Sequence, residues 1–170
     1  MLHHVESVIQ INATANRVWC ILDDFGGLDK FSVGVQKSLI VGDKETGIGA
    51  VRYCLFNDGS SLHEEIVEYE PHKHFRLVLS EFTLPMESVS ASFRVEPLSE
   101  TTCEVKMEMD FVMKFGLLGR LMGVVLIRPL MKSVHKKLLQ GLAYHALTGK
   151  KISDKLPPRE DLARAIALLP

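Results

Sequence analysis

The sequence predicts an α+β fold in which a run of antiparallel strands is followed by one long helix. Three observations predict it: short apolar runs separated by turn residues from Val33 to Phe115, strict alternation in the last of those runs, and a switch to helical spacing after Gly116. With 170 residues, 46% of them hydrophobic, the chain has enough apolar material for one domain with a sizeable core. That composition excludes a disordered chain and a collagen-like fibre.

The first element, Val5 to Asn12, sets Val5, Ser7, Ile9 and Ile11 against Glu6, Val8 and Gln10, which is a half-buried strand. Asn12-Ala13-Thr14 then offers cap side chains to a helix in which Val18, Trp19, Ile21, Leu22 and Phe25 recur at helical spacing. Gly26-Gly27 must stop that helix, leaving Leu28 to Phe31 room for about one more turn. Between Val33 and Phe115, turn signals such as Gly42 to Gly47, Asn57 to Ser60, Glu70 to His74, Leu84 to Met86 and Leu98 to Thr101 delimit six strands of a meander. In the last, Val105, Met107, Met109, Phe111 and Met113 alternate with Lys106, Glu108, Asp110, Val112 and Lys114, so one face is apolar.

After Gly116, Val134, Leu138 and Leu142 fall on one helical face, with Pro129 near the first turn of the main helix or at a kink. A helix running to Leu147 and closed by Gly149 would be about 27 to 30 Å long, enough to cross a small domain. The domain is therefore expected at 1–149. Residues 150–170 read as a linker around Pro157-Pro158 and a short helical tail with Leu162, Ile166 and Leu169 as an apolar stripe.

Three separated cysteines cannot close a disulfide framework, and the first residues carry no basic stretch followed by an apolar run. A reducing, cytoplasmic location and a mature chain starting near Met1 are expected. The net charge of −1 conceals an asymmetry: up to residue 115 there are 10 Lys+Arg against 18 Asp+Glu, and from residue 116 there are 10 against 3. That split does not describe a nucleic-acid binder.

Several residues together carry a resemblance: Ile11, Ala13 and Trp19 leading into Asp24-Phe25; Gly47, Gly49-Ala50 and Arg52; Leu62, Glu64 and Ile66; and Leu138-Leu139 with Gly141-Leu142. The chain resembles the START-like, or SRPBCC, superfamily, in particular its polyketide cyclase/dehydrase and lipid-transport group, over residues 3 to 149. The resemblance implies a helix-grip fold. In it a curved seven-stranded antiparallel sheet wraps around the long C-terminal helix, two short helices follow the first strand, and a hydrophobic cavity lies between sheet and helix. Members of that superfamily carry lipids, quinones and hormones, and some cyclise or dehydrate polyketides, so fold alone does not select an activity.

Motifs for other chemistries are missing. There is no GxSxG, HExxH or Walker loop, and Gly47-Ile48-Gly49 leads into a strand instead of a helix. His72 and His74 lack a third metal ligand and read as a solvated turn, as do His3 and His4 at the strand start. Cys20, Cys54 and Cys103 read as buried small hydrophobes. No metal and no cofactor is expected.

The expected function is binding or transport of a hydrophobic or amphipathic small molecule in the cavity. The alternatives are a cyclase or dehydratase using cavity acid–base residues, and a protein-interaction module. Strand register decides between the first two: Leu62, Glu64 and Ile66 inward give one buried carboxylate, whereas His63, Glu65 and Val67 inward give an imidazole beside a carboxylate. The resemblance favours Glu64 inward.

Candidate ligand contacts are Lys37, Arg52, Cys54, Phe56, Glu64 and Ile66 on the early strands. Phe93, Met107, Met109 and Phe111 on the later strands, with Leu138 and Leu142 on the helix, complete the set. Lys37 shares the parity of Val33, Val35, Leu39 and Val41, so it either points inward or sits outside on a bulge. Lys37-Ser38, Arg52 and Glu64 are similar to positions of the plant abscisic-acid receptors of the same superfamily, where a corresponding lysine and glutamate help bind the hormone's polar groups. A ligand head with a carboxylate, carbonyl or hydroxyl is expected on that basis. Residues 117–137, apolar with Arg120, Arg128, Lys132, Lys136 and Lys137, either touch anionic membrane peripherally or pack over the cavity mouth with solvated charges. Oligomeric state is not legible.

Overall fold

The structure, a computed structural model, describes residues 2–167. Strand β1 (Leu2–Ile11) is followed by α1 (Ala15–Asp23) and a 3-10 segment (Phe25–Lys30). The meander comprises β2 (Val35–Val41), β3 (Val51–Phe56), β4 (Ser61–Glu70), β5 (His74–Ser80), β6 (Met86–Pro97) and β7 (Cys103–Met113). Then come α2 (Gly116–Met122), a π turn (Gly123–Ile127), α3 (Arg128–Thr148) and α4 (Arg159–Ala165).

Each hairpin of the meander joins neighbours, so β7 ends with a free edge, and β1 returns to fill it. The result is one antiparallel sheet in the order β1-β7-β6-β5-β4-β3-β2. Alternation along β7 puts Cys103, Val105, Met107, Met109, Phe111 and Met113 on the inner face. Helix α3 contributes Leu138, Leu139, Leu142, Ala143 and Ala146 to the same core. Gly141 lets the helix approach the 3-10 segment, since a Cβ there would lie 2.0 Å from the Phe31 carbonyl oxygen. Thr14 caps α1, its hydroxyl accepting from the Arg17 N–H at 3.2 Å, and Gly149 in the left-handed region ends α3. This is the α+β helix-grip architecture, with Pro129 in the first turn of α3 and the helical run continuing upstream through the π turn.

One end of the grip is filled. Trp19, Phe25, Phe75 and Phe93 pack there as a chain of rings, Trp19 to Phe75 at 6.1 Å, Phe25 to Phe75 at 6.4 Å and Phe75 to Phe93 at 5.4 Å. Ile66 and Leu142 are buried among the core residues.

Two expectations are corrected. His3 is buried on the inner parity of Val5, stacked on Phe111 at 5.0 Å, and is not a solvated strand start. Cys20 is exposed, because α1 buries Val18, Trp19 and Leu22 and turns Cys20 away. The tail is stitched to β1: the Asn12 N–H donates to the Ala165 carbonyl at 2.8 Å, and Ala167 N–H donates to Gln10 O at 2.9 Å. With Leu162 and Ala165 buried, α4 covers part of an edge that β1 would otherwise leave open. Leu169 lies outside the described residues.

Candidate functional site

The other end of the grip is hollow. A cavity of about 480 Å³ lies between the sheet and α3. Leu79, Val89, Met107 and Met109 on the sheet face Met131, Val134 and Leu138 on α3 across it, and the loops carrying Ser32 to Val35, Asn57 to Ser61 and Phe82 to Leu84 surround the opening. That volume suits a small molecule.

Register builds the polar corner. The short turn after Phe56 sets Arg52 of β3 opposite Glu64 of β4 and Cys54 opposite Leu62. Leu62, Glu64 and Ile66 therefore face inward. His63 turns to the other face, its Nδ1 3.0 Å from Glu81 Oε2, so no imidazole joins the cavity.

Arg52 and Glu64 are both buried and bonded through Nε and Oε2 at 2.5 Å. The guanidinium also donates to the Phe25 carbonyl oxygen at 2.9 Å and lies over the Phe25 ring at 4.2 Å. Cys54 approaches Glu64 Oε2 at 3.6 Å and Ser38 Oγ at 4.0 Å. Burial, with the Glu64 carboxylate beside it, pushes the Cys54 thiol up to about 12, so it is a neutral donor and not a nucleophile. Both contacts to Glu64 fall on Oε2, and among the described residues no donor reaches Oε1. Glu64 lines the cavity, whereas Arg52 and Cys54 stand behind it. A buried charge without a counter-ion would be costly, and Arg52 is the counter-ion that lets Glu64 sit at an apolar wall.

Lys37 is not part of this corner. A bulge between Val35 and Lys37 shifts the parity of β2, so Lys37 is exposed and Ser38 takes the inward place beside Cys54. Among the residues lining the cavity the only charged ones are Glu64 and Asp58, and none is a lysine, arginine or histidine. Of the other residues singled out in the sequence, Phe56, Met107, Met109 and Leu138 line the cavity, while Ile66, Phe93, Phe111 and Leu142 are buried core outside its wall.

Sequence reasoning missed the mouth and most of the roof. Met131 was findable, since it precedes Leu138 by two helical turns. Phe82, Leu84 and Ser32 to Val35 come from loops, where no periodicity marks the side that faces in.

Comparison with known proteins follows the same lines. No curated protein matches the chain. XoxI from Bacillus cereus superposes with a TM-score of 0.71 at 15% identity, over 85% of this chain and 96% of that one. The Zhui aromatase/cyclase from Streptomyces sp. R1128 gives 0.66 at 15% identity, over 89% and 100%. Norcoclaurine synthase from Thalictrum flavum, in complex with dopamine and hydroxybenzaldehyde, gives 0.64 at 14% identity, over 89% and 90%. At such identities these structures share the fold. The family model described as polyketide cyclase / dehydrase and lipid transport matches residues 3–146, nearly the whole sheet and grip helix, and the chain belongs to that family.

Proposed function

We propose that the protein binds or carries an apolar small molecule whose head donates a hydrogen bond, a hydroxyl or an amine, to Glu64. The observation that carries this reading is the sign of the cavity's polar corner. Glu64 presents a carboxylate oxygen to a mostly apolar hollow, and the cation that balances it is occupied behind the wall by Glu64, the Phe25 carbonyl and the Phe25 ring. An acceptor facing the hollow favours a donor. A carboxylate head would meet like charge and no counter-ion, so that part of the sequence expectation is dropped. The norcoclaurine synthase of the same fold is solved with dopamine and hydroxybenzaldehyde, aromatic molecules bearing hydroxyl groups.

The cyclase or dehydratase reading needs a base and an acid that exchange protons on a bound substrate. Of the two carboxylates lining the hollow, Asp58 is exposed and bonded to Ser60 in the turn, Glu64 is buried, and His63 faces away, which weighs toward carriage. Turnover of an aromatic polyketide by the purified protein would reverse that order.

The test uses Nile red as a neutral reporter of the hollow, displaced by decanol, decylamine or decanoate. The alcohol and amine are expected to displace it at lower concentration than the acid, and Glu64→Gln to remove most of the difference between amine and acid. Val89→Trp, which fills the hollow while leaving the ion pair in place, is expected to abolish Nile red binding in a folded protein. Equal displacement by all three compounds, or unchanged Nile red binding to the Val89→Trp variant, would overturn the assignment.

A further inference from the structure

The helical run from Gly116 to Leu130 is patterned inside out. Its protein side is a line of Gly119, Gly123 and Ile127, and two of these three contribute no side chain to the core. The bulky residues point away: Phe115 is 71% exposed, Leu117 82%, Leu118 70% and Leu121 61%, with Val124, Val125, Leu126 and Leu130 exposed beyond them. The close approach of this run to the sheet depends on its glycines, because a Cβ on Gly123 would lie 2.6 Å from His3 Nε2 and one on Gly119 would lie 1.6 Å from the Lys114 carbonyl oxygen. Such an exposed apolar stretch does nothing for the fold it is attached to and marks a contact surface.

Charge identifies the other side of that contact. From Phe111 to Ser153 there is no aspartate or glutamate, and Lys114, Arg120, Arg128 and Lys132 are exposed on and beside the apolar stretch. Two copies pressed together through this face would bring these four cations against one another with Glu87, exposed beside Lys114 and Arg120, left to balance them, since Glu6 beside Lys132 is paired with Lys106. An anionic bilayer surface meets both properties at once, apolar residues entering at headgroup depth while the cations pair with lipid charge. Among the described residues no helix is long and apolar enough to cross a membrane, so the segment would lie on the surface.

Position adds a consequence. Val134, exposed one turn beyond Leu130, also lines the cavity, as does Met131 on the buried side of the same turn. The face and the mouth of the hollow are therefore continuous.

We propose that residues 115–134 form a docking face for anionic lipid bilayers, placing the cavity mouth at the membrane surface. The docking itself goes beyond the cavity reading and does not depend on what the hollow holds.

The experiment is co-sedimentation of the full chain with vesicles of phosphatidylcholine alone or mixed with phosphatidylglycerol, with sedimentation velocity of the protein alone beside it. Binding is expected to the mixed vesicles, at least tenfold stronger than to the neutral ones, and to weaken as salt is raised. Leu117→Ser with Leu121→Ser, and separately Arg120→Glu with Lys132→Glu, are each expected to weaken it tenfold or more, with thermal unfolding unchanged because all four side chains are exposed. Absence of binding, equal binding to both vesicles, or unchanged binding by both double variants would overturn the proposal. A dimer dissolved by the serine variant, without vesicle binding, would overturn it in favour of a second copy of the chain. None of these results bears on Nile red binding, so the docking face and the cavity can fail separately.

Discussion

Two halves of one helical run use apolar residues in opposite ways. In the second half, Leu138, Leu139, Leu142, Ala143 and Ala146 face the sheet, while Lys136 and Lys137 face solvent. In the first half, glycines face the protein and leucines face out. Both halves are rich in leucine, but the first turns glycines toward the protein at places where the second turns leucines and alanines. Hydrophobic content therefore says that a helix has an apolar partner without saying that the partner is its own protein.

That contrast can be broken from the buried side first. Leu142→Ala removes a fully buried side chain and should cost about 2–5 kcal/mol of stability, read by urea denaturation. A cost below 1 kcal/mol, by the same order-of-magnitude reckoning, would mean that the second half is packed as loosely as the first.

The junction of the halves should respond to pH. His135 is fully buried with neither ring nitrogen hydrogen-bonded among the described residues, and burial, with His4 nearby, holds it down to about 4 from an ordinary 6.5. The unfolded chain then binds the proton more readily than the folded one between those values. Stability is complete above about pH 6.5 and is lost as pH falls toward 4, by about 3 kcal/mol over the whole window. Burial also lowers His3, with Arg128 adding to it, and this acts in the same direction. Urea midpoints at neutral pH and at the acid end of the window should differ in the native protein, and the difference should shrink in His135→Leu to the part that His3 contributes. An equally steep loss in that variant would place the titration elsewhere.

The smallest effect on stability belongs to the exposed half. Leu117→Ser with Leu121→Ser should change the unfolding free energy by no more than about 0.5 kcal/mol, although it removes two leucines from a helix. A larger loss would show that these residues complete the fold.

The alternation and the turn signals made the sheet legible, since period two survives along β7 and through Leu62, Glu64 and Ile66 of β4, ahead of the bulge between Ile66 and Glu68, and the turn residues are where the hairpins close. Lys37 shows where that logic stops: one extra residue at Gln36 reverses every later assignment on β2, and parity alone cannot reveal a bulge. For Glu64, periodicity offered two faces of equal apolar content, and the pairing with Arg52 across a short turn selects one. His3 was readable from its parity with Val5, had its position at the chain start not suggested solvent. The hollow was not readable in residue terms, because a cavity is defined by the space that Met107, Met109 and Leu138 fail to fill. The contact of the tail with β1 is similarly silent, since backbone pairing at Ala165 and Ala167 leaves no side-chain signature.

The π turn has a bearing on chain length. Residues spaced by four slip about 40° per step around an ordinary helix, yet Gly119, Gly123, Ile127, Met131 and His135 all stay on the protein side. The wider turn at Gly123–Ile127 takes back part of that slip. Deleting one residue within it would restore ordinary winding and rotate everything upstream by about 100°. A bulkier neighbour of Gly123 would then be turned toward His3, where the present backbone leaves 2.6 Å for a Cβ. Insertions and deletions, the changes that surface segments usually absorb, should therefore be rarer here than substitutions, and a frame of fixed length should persist even where its outward residues drift.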